Sequence, residues 1–207
     1  IDVFREDPGY LSRYIEGLDP IMESYASDKN GALGIYITFN PYLTDSAYEL
    51  WYEDLAGNGQ LVKVSPETVK KNSPNQTYDN NWAIYPNTPE FMDPDNEAMD
   101  YLYKTLEAQK PLWFEPYKEL GLDITSISYV RPIIIDNTVI GVVGMDLNFE
   151  TIEKTIREMP VYDQGYAFLM NESSEILVHP ENADKNDLKD IRSEEHTSEL
   201  QSHHDLV

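Results

Sequence analysis

A single acid, Asp146, follows the apolar run IIIDNTVIGVVGM, whose Gly-Val-Val-Gly centre reads as a buried strand. An ionised carboxylate at the end of such a strand requires a hydrogen-bonded or cationic partner, or it must leave the core. Two roles are open to it. It can meet the cationic group of a ligand, or, with Asn148, cap the helix that LNFETIEK announces. Tyr101, Trp113, Tyr117 and Tyr129 supply aromatic surface. Each alone reads as core packing, but several aromatics beside acids have the make-up of a box in which ring faces attract an ammonium group.

Other chemistries find less support. MDPDNEAMD spaces Asp93, Asp95 and Glu97 two apart, as in a calcium loop, yet it lacks the glycine at the sixth position and the distant glutamate such a loop needs. A helix-capping segment is expected there and no metal site. His179-Pro180 has no accompanying Ser or Lys motif of a hydrolase, so no catalytic residue and no cofactor is assigned, and the chain is not read as an enzyme. Cysteine is absent, which excludes disulfides, thiolate metal sites and cysteine nucleophiles.

The 207 residues carry 38 acids against 15 bases, a formal charge of −23. Such a surface repels nucleic acid and anionic membranes, so neither is expected as a partner, and a cationic or neutral ligand fits better. No apolar run is long enough to span a bilayer and IDVFREDPGY is not a signal peptide, so any membrane anchors are expected outside this sequence.

The elements that must position these residues follow from periodicity. Residues 10–27 place Leu11, Tyr14, Ile15, Leu18, Ile21, Met22 and Tyr25 on a helical stripe, which Pro20 is expected to bend or interrupt. LGIYITFN, AYELWYEDL and QLVKV, with Gly57-Asn58-Gly59 as a turn, predict an antiparallel meander. Residues 65–94 read as a long loop with a short helix at PETVKK. Asp93-Pro94 predicts the cap and first position of a helix through NEAMDYLYKTLEAQK, with Met99, Leu102, Tyr103 and Leu106 as its apolar stripe. LWFEPY, ISYVRPIII and VIGVVGMDL are three more strands, FETIEKTIREM is a helix, and GYAFLMNESSEILVHP is a hairpin that opens a second module. The plan is α+β with an antiparallel sheet.

Arg192–Val207 departs from this pattern. Its first eleven residues correspond codon by codon to a common sequencing-adapter read, so it is expected to be an assembly artefact translated in frame, with the natural chain cut near Ile191. His196, His203 and His204 are then no metal cluster. The segment holds one base and four acids, so without it 14 bases and 34 acids leave −20.

LWFEPY, ISYVRPI, VIGVVGMDL followed by a helix, and GYAFLMNESSEILVHP, in that order, resemble the extracytoplasmic double Cache sensor of bacterial transmembrane receptors, over residues ~10–191. The resemblance implies an N-terminal helix (1–28), a membrane-distal PAS-like module that binds a small ligand (29–155), the beginning of a membrane-proximal PAS-like module (156–191), and the artefact segment (192–207). It implies a small-molecule sensor on the extracytoplasmic side of the cell membrane, dimeric through the N-terminal helix. The output beyond the membrane, a histidine kinase, a chemotaxis rod or a cyclase, is left open. Residue by residue, Asp146 matches the family acid that meets a ligand ammonium group, Tyr117 and Glu119 match a Tyr-x-Asp pair, and Trp113 matches the tryptophan that opens its strand. Tyr101 and Tyr103 fall in the aromatic cluster of the ligand-facing helix. Met99 stands where amino-acid sensors of the family carry an arginine, which removes the fork that clasps a carboxylate and favours an amine or a neutral metabolite. Arg131 is read as a solvated strand residue rather than a replacement. The rivals are a carbohydrate hydrolase with paired carboxylates and a ligand-free dimerisation module.

Overall fold

The computed structural model describes residues 6–7, 10–27, 31–43, 48–65, 68, 71, 93–118, 124–162 and 165–180. Glu119, most of the 65–94 segment with PETVKK, and the segment 192–207 lie outside the described residues. The chain divides into two compact units, 1–148 and 149–207.

Among the described residues, the first unit is a seven-stranded antiparallel sheet with one helix packed on each face. Helix α1 (Tyr10–Ser27) leads into β1 (Ala32–Phe39), β2 (Glu49–Glu53) and β3 (Val62–Lys63), the expected meander. Helix α2 (Asp100–Ala108) precedes β4 (Leu112–Trp113), β5 (Tyr117–Lys118), β6 (Thr125–Ile135) and β7 (Thr138–Asn148). The strand order is β3-β2-β1-β7-β6-β4, with β5 also on β6, so the last strand of the unit inserts beside the first. Asp136 and Asn137 make the tight β6–β7 turn with φ of 48° and 63°, the left-handed pair that a twisted two-residue hairpin requires. Pro132 is accommodated within β6 because β4 pairs only as far as Val130, leaving the following residues on an edge.

Two expectations need correction. Helix α1 runs unbroken through Pro20, which lies on the exposed side and forgoes one backbone bond while Ile15, Leu18, Met22 and Ala26 hold the helix against the sheet. Asp93 does not cap α2. Its carboxylate accepts the Asp95 amide in a local turn, and Asn96 caps a 3-10 turn (Glu97–Met99) that feeds the helix, because the proline after Asp93 initiates a turn first.

The α1 face of the sheet is mainly aliphatic, with Ile35, Ile37, Leu50 and Ile140 joined by Phe39 and Tyr52. The α2 face gathers Tyr36, Met99, Leu102, Val130 and Val142. In the second unit, α3 (Phe149–Arg157) is followed by the hairpin of β8 (Leu169–Met170) and β9 (Ile176–Val178). Arg157 binds Glu153 and donates to the carbonyl of His179, whose ring packs on Tyr166 at 4.9 Å. His179 is thus a packed hairpin-end residue.

Candidate functional site

Residues opposite one another in an antiparallel pair share a face, so register determines what the α2 side displays. One row runs Glu53, Gly34, Asp146, Ser128 across β2, β1, β7 and β6. The next is Trp51, Tyr36, Gly144, Val130, and the third is Glu49, Thr38, Val142, Pro132. Two glycines clear the centre. A Cβ on Gly144 would lie 2.1 Å from Tyr36 Cζ, so the tyrosine ring lies directly over the β7 backbone. A Cβ on Gly34 would lie 2.9 Å from Asp146 Oδ2 and 3.4 Å from Trp51 Nε1. Into this space fold three rings: Tyr36 stacks on Trp51 at 4.2 Å and 17°, and Tyr101 of α2 meets both edge-on, at 5.1 Å and 6.0 Å.

Each end of this aromatic centre carries an acid. Asp146, 6% exposed, accepts the Ser128 hydroxyl at 2.6 Å, and Ser128 Oγ lies 3.2 Å from the Tyr117 hydroxyl. Ser128 Oγ thus links the Asp146 carboxylate to the Tyr117 hydroxyl. Burial, reinforced by the Asp146 charge, pushes the Tyr36 phenol well above its ordinary range, so it stays protonated beside the acid. At the other end Glu49 accepts from Tyr101 at 2.7 Å and Thr38 at 2.9 Å. Burial raises the Glu49 carboxyl despite these two hydrogen bonds, and burial raises Tyr101 with help from Glu49. Trp51 Nε1 is buried with no hydrogen-bond partner.

The family model for the first PDC sensor domain of methyl-accepting chemotaxis protein-like receptors matches residues 18–154. The chain belongs to this family. The model of the Cache 3/Cache 2 fusion domain matches residues 123–202, running into the segment read above as adapter-derived. The chain is 34% identical over 88 residues to the methyl-accepting chemotaxis protein McpC of Bacillus subtilis, covering 41% of this chain and 13% of that receptor. It is 33% identical over 67 residues to PscA of Pseudomonas syringae pv. tomato, covering 32% and 11%. The matched stretches thus span about an eighth or less of these relatives' length. The fold is also that of the extracellular domain of mmHK1S-Z2, a protein described as a histidine kinase, with TM-score 0.51, 19% identity, 84% of this chain and 60% of that one. A Cache-type sensor, expected from the motif order, is what these matches support.

In this PDC sensor domain the sequence-predicted site residues separate into groups. Asp146, Tyr117 and Tyr101 lie on the α2 face, the first two joined through Ser128. Tyr103 is at its margin, its ring 5.8 Å from Tyr42, with its hydroxyl raised by burial and by Tyr42. Trp113 and Tyr129 pair with each other at 4.7 Å, but register sets them opposite Met145 on the other face, with Trp113 58% exposed. The structure does not bring them to Asp146, because odd and even residues of β6 face opposite ways. Arg131 shares that face and is exposed. Met99, which the resemblance sets at the arginine position of amino-acid sensors, is fully buried among Tyr36, Leu102, Val130 and Val142. The Asp146 carboxylate lies over the sheet, against Ser128 and Gly34. Among the described residues no group of His, Asp and Glu has the arrangement of a metal site, and no helix is long and apolar enough to cross a membrane. Sequence reasoning missed Trp51, Tyr36, Glu49 and Ser128, although Glu49-x-Trp51-x-Glu53 already alternates as one face of a strand.

Proposed function

We propose that the chain is the ligand-sensing module of a transmembrane signalling receptor and that its α2 face takes a small amine-bearing metabolite. The observation that carries this reading is the convergence, in space cleared by Gly34 and Gly144, of the Asp146 carboxylate with the Tyr36, Trp51 and Tyr101 rings. A carboxylate accepts an ammonium proton with charge assistance, and ring faces attract the same cation. A neutral metabolite is the second choice, supported by the neutral hydroxyl donors Tyr36 and Tyr117. The buried Met99 offers a carboxylate nothing, which argues against α-amino acids. Three acids occupy positions on this face: Glu53 shares the row of Asp146, with Gly34 of β1 between them, and Glu49 lies in a row four residues further along β1, about 13 Å along a strand. The Trp51–Tyr36 stack stands between the rows of Asp146 and Glu49, so those two are a poor fit to the ~5–10 Å carboxyl pair of a glycoside hydrolase.

Signalling follows if the ligand prefers one arrangement of α2 over the sheet, since only differential affinity for two states shifts an equilibrium. Calorimetry of the folded chain against a panel of small amines and neutral metabolites tests the reading. An amine should bind, and Asp146→Asn, nearly isosteric, should weaken it by about tenfold or more with the melting temperature moved by only a few degrees. Failure of every panel member to bind the folded protein refutes the reading, and an unchanged affinity in Asp146→Asn removes Asp146 from it.

A further inference from the structure

Resting on that amine-binding face, we propose that Trp51 selects among amines: the preferred ligand carries, close to its ammonium group, an uncharged acceptor oxygen that the Trp51 indole N–H receives.

An indole N–H donates one hydrogen bond and accepts none. Burying it unpaired costs free energy, and native proteins rarely leave such a group without a partner. Trp51 Nε1 is nevertheless buried and unpartnered. The hydroxyls of Thr105 and Ser126 are also unpaired, but a hydroxyl rotates and both donates and accepts, whereas the indole has one fixed direction. Its ring is held between Tyr36, stacked at 4.2 Å, and Tyr101, edge-on at 6.0 Å, so it cannot turn towards another acceptor without breaking both contacts.

The donor also lies close to the acid. One point beside Gly34, where any other residue would carry its Cβ, is 2.9 Å from Asp146 Oδ2 and 3.4 Å from Trp51 Nε1. The absence of a side chain on Gly34 therefore lets the carboxylate acceptor and the indole donor approach the same stretch of β1, close to one another. A ligand whose ammonium reaches Asp146 must place its next atoms near the indole. If one of those atoms is an ether, hydroxyl or amide oxygen, the buried donor is satisfied. If it is a methylene, the donor stays unpaired, which is the arrangement that gives binding sites their sharpest discrimination. A carboxylate in the same place meets one neutral donor at short range from Asp146, so like-charge repulsion disfavours it.

Two amines of equal heavy-atom count separate the possibilities: 2-methoxyethylamine and n-butylamine, which differ by an ether oxygen in place of a methylene. Calorimetry of the whole chain should give about tenfold tighter binding of the ether amine. In Trp51→Phe, which keeps a ring to stack on Tyr36, that ratio should fall to about one. The indole N–H proton resonance of Trp51, assigned by its loss in Trp51→Phe, should move downfield with 2-methoxyethylamine and not with n-butylamine. Equal binding of the two amines by the unaltered protein overturns the selection by Trp51 while leaving the amine-binding face intact, as expected if a water alone bridges the indole to Asp146. A ratio that persists in Trp51→Phe overturns it as well. Binding of neither amine to the folded protein refutes both the selection and the face.

Discussion

The two faces of one sheet, made by alternate residues of the same strands, are built on opposite terms. On the α1 side Ile35, Ile37, Leu50 and Ile140 meet Met22 and Ala26 in aliphatic contact. A polar contact on this side is made by Asp19, which holds Lys63 at 2.6 Å and the Tyr52 hydroxyl at 2.7 Å near the sheet edge. On the α2 side, one residue further along each strand, come Tyr36, Trp51, Glu49, Thr38, Asp146 and Ser128, with polar groups buried among rings. Buried polar groups are costly unless paired, so a face that accumulates them gives up stability for recognition. The first face holds the fold, and the second is the face proposed to take a ligand.

Substitutions that damage one face and spare the other break this comparison most directly. Leu50→Ala opens a cavity under α1 at a residue only 2% exposed and should cost about 2–5 kcal/mol in urea unfolding. Amine affinity per folded molecule should stay within a few-fold. Gly144→Ala should have the smaller stability effect, about 1–3 kcal/mol of overpacking. It should nonetheless abolish binding, because the new methyl takes the place of the Tyr36 ring, 2.1 Å from its Cζ. If Leu50→Ala weakens binding as much as Gly144→Ala does, the division of labour between the faces is wrong.

How far the sequence revealed this division depends on which face is meant. The aliphatic side was legible from hydrophobic period alone: β1, β2, β6 and β7 all read as strands, and Ile15, Leu18 and Met22 marked the inner stripe of α1. Tyr14, Ile21 and Tyr25, in the same stripe, prove exposed, because a helix resting on a flat sheet buries a narrower arc than its apolar residues cover. The candidate site was legible only in part. Asp146 declared itself as an acid ending an apolar strand. Trp51 and Glu49 did not, since which side of β2 faces α2 is settled by pairing with β1, and register is a long-range property that short motifs do not carry. The same cause misplaced Trp113 and Tyr129, near Asp146 in the sequence plan yet on the reverse of the sheet. Gly34 and Gly144 look like any strand glycines until the ring and carboxylate that occupy their missing side chains are located.

The smallest expected effect, and the one that sharpens the comparison, is electrostatic. The faces carry acids whose protonation is shifted in opposite senses. Burial raises Glu49 above its ordinary value of 4.5, and the Tyr101 and Thr38 hydrogen bonds offset that only in part. For Asp19 burial also acts upward, but hydrogen bonds from Lys63 and Tyr52, with the Lys63 charge, bring the net shift below 3.8. The folded protein therefore binds a proton at Glu49 more tightly than the unfolded chain does, so the stability contributed by protonated Glu49 is present below about 4.5 and is lost as pH rises through the raised value. Asp19 contributes stability above 3.8 that is lost as pH falls through its depressed value. Urea unfolding measured across pH 3 to 7 on single variants separates them. Glu49→Gln should remove a decline in stability on the high side of pH 4.5, and Asp19→Asn should remove a decline on the low side of pH 3.8. Asp19 is partly exposed, so its share should shrink when salt is raised, while that of the more enclosed Glu49 should persist. A Glu49→Gln protein whose pH profile overlays that of the unaltered chain would mean that the α2 face holds Glu49 as an ordinary ionised carboxylate, and the contrast between the faces would then rest on shape alone.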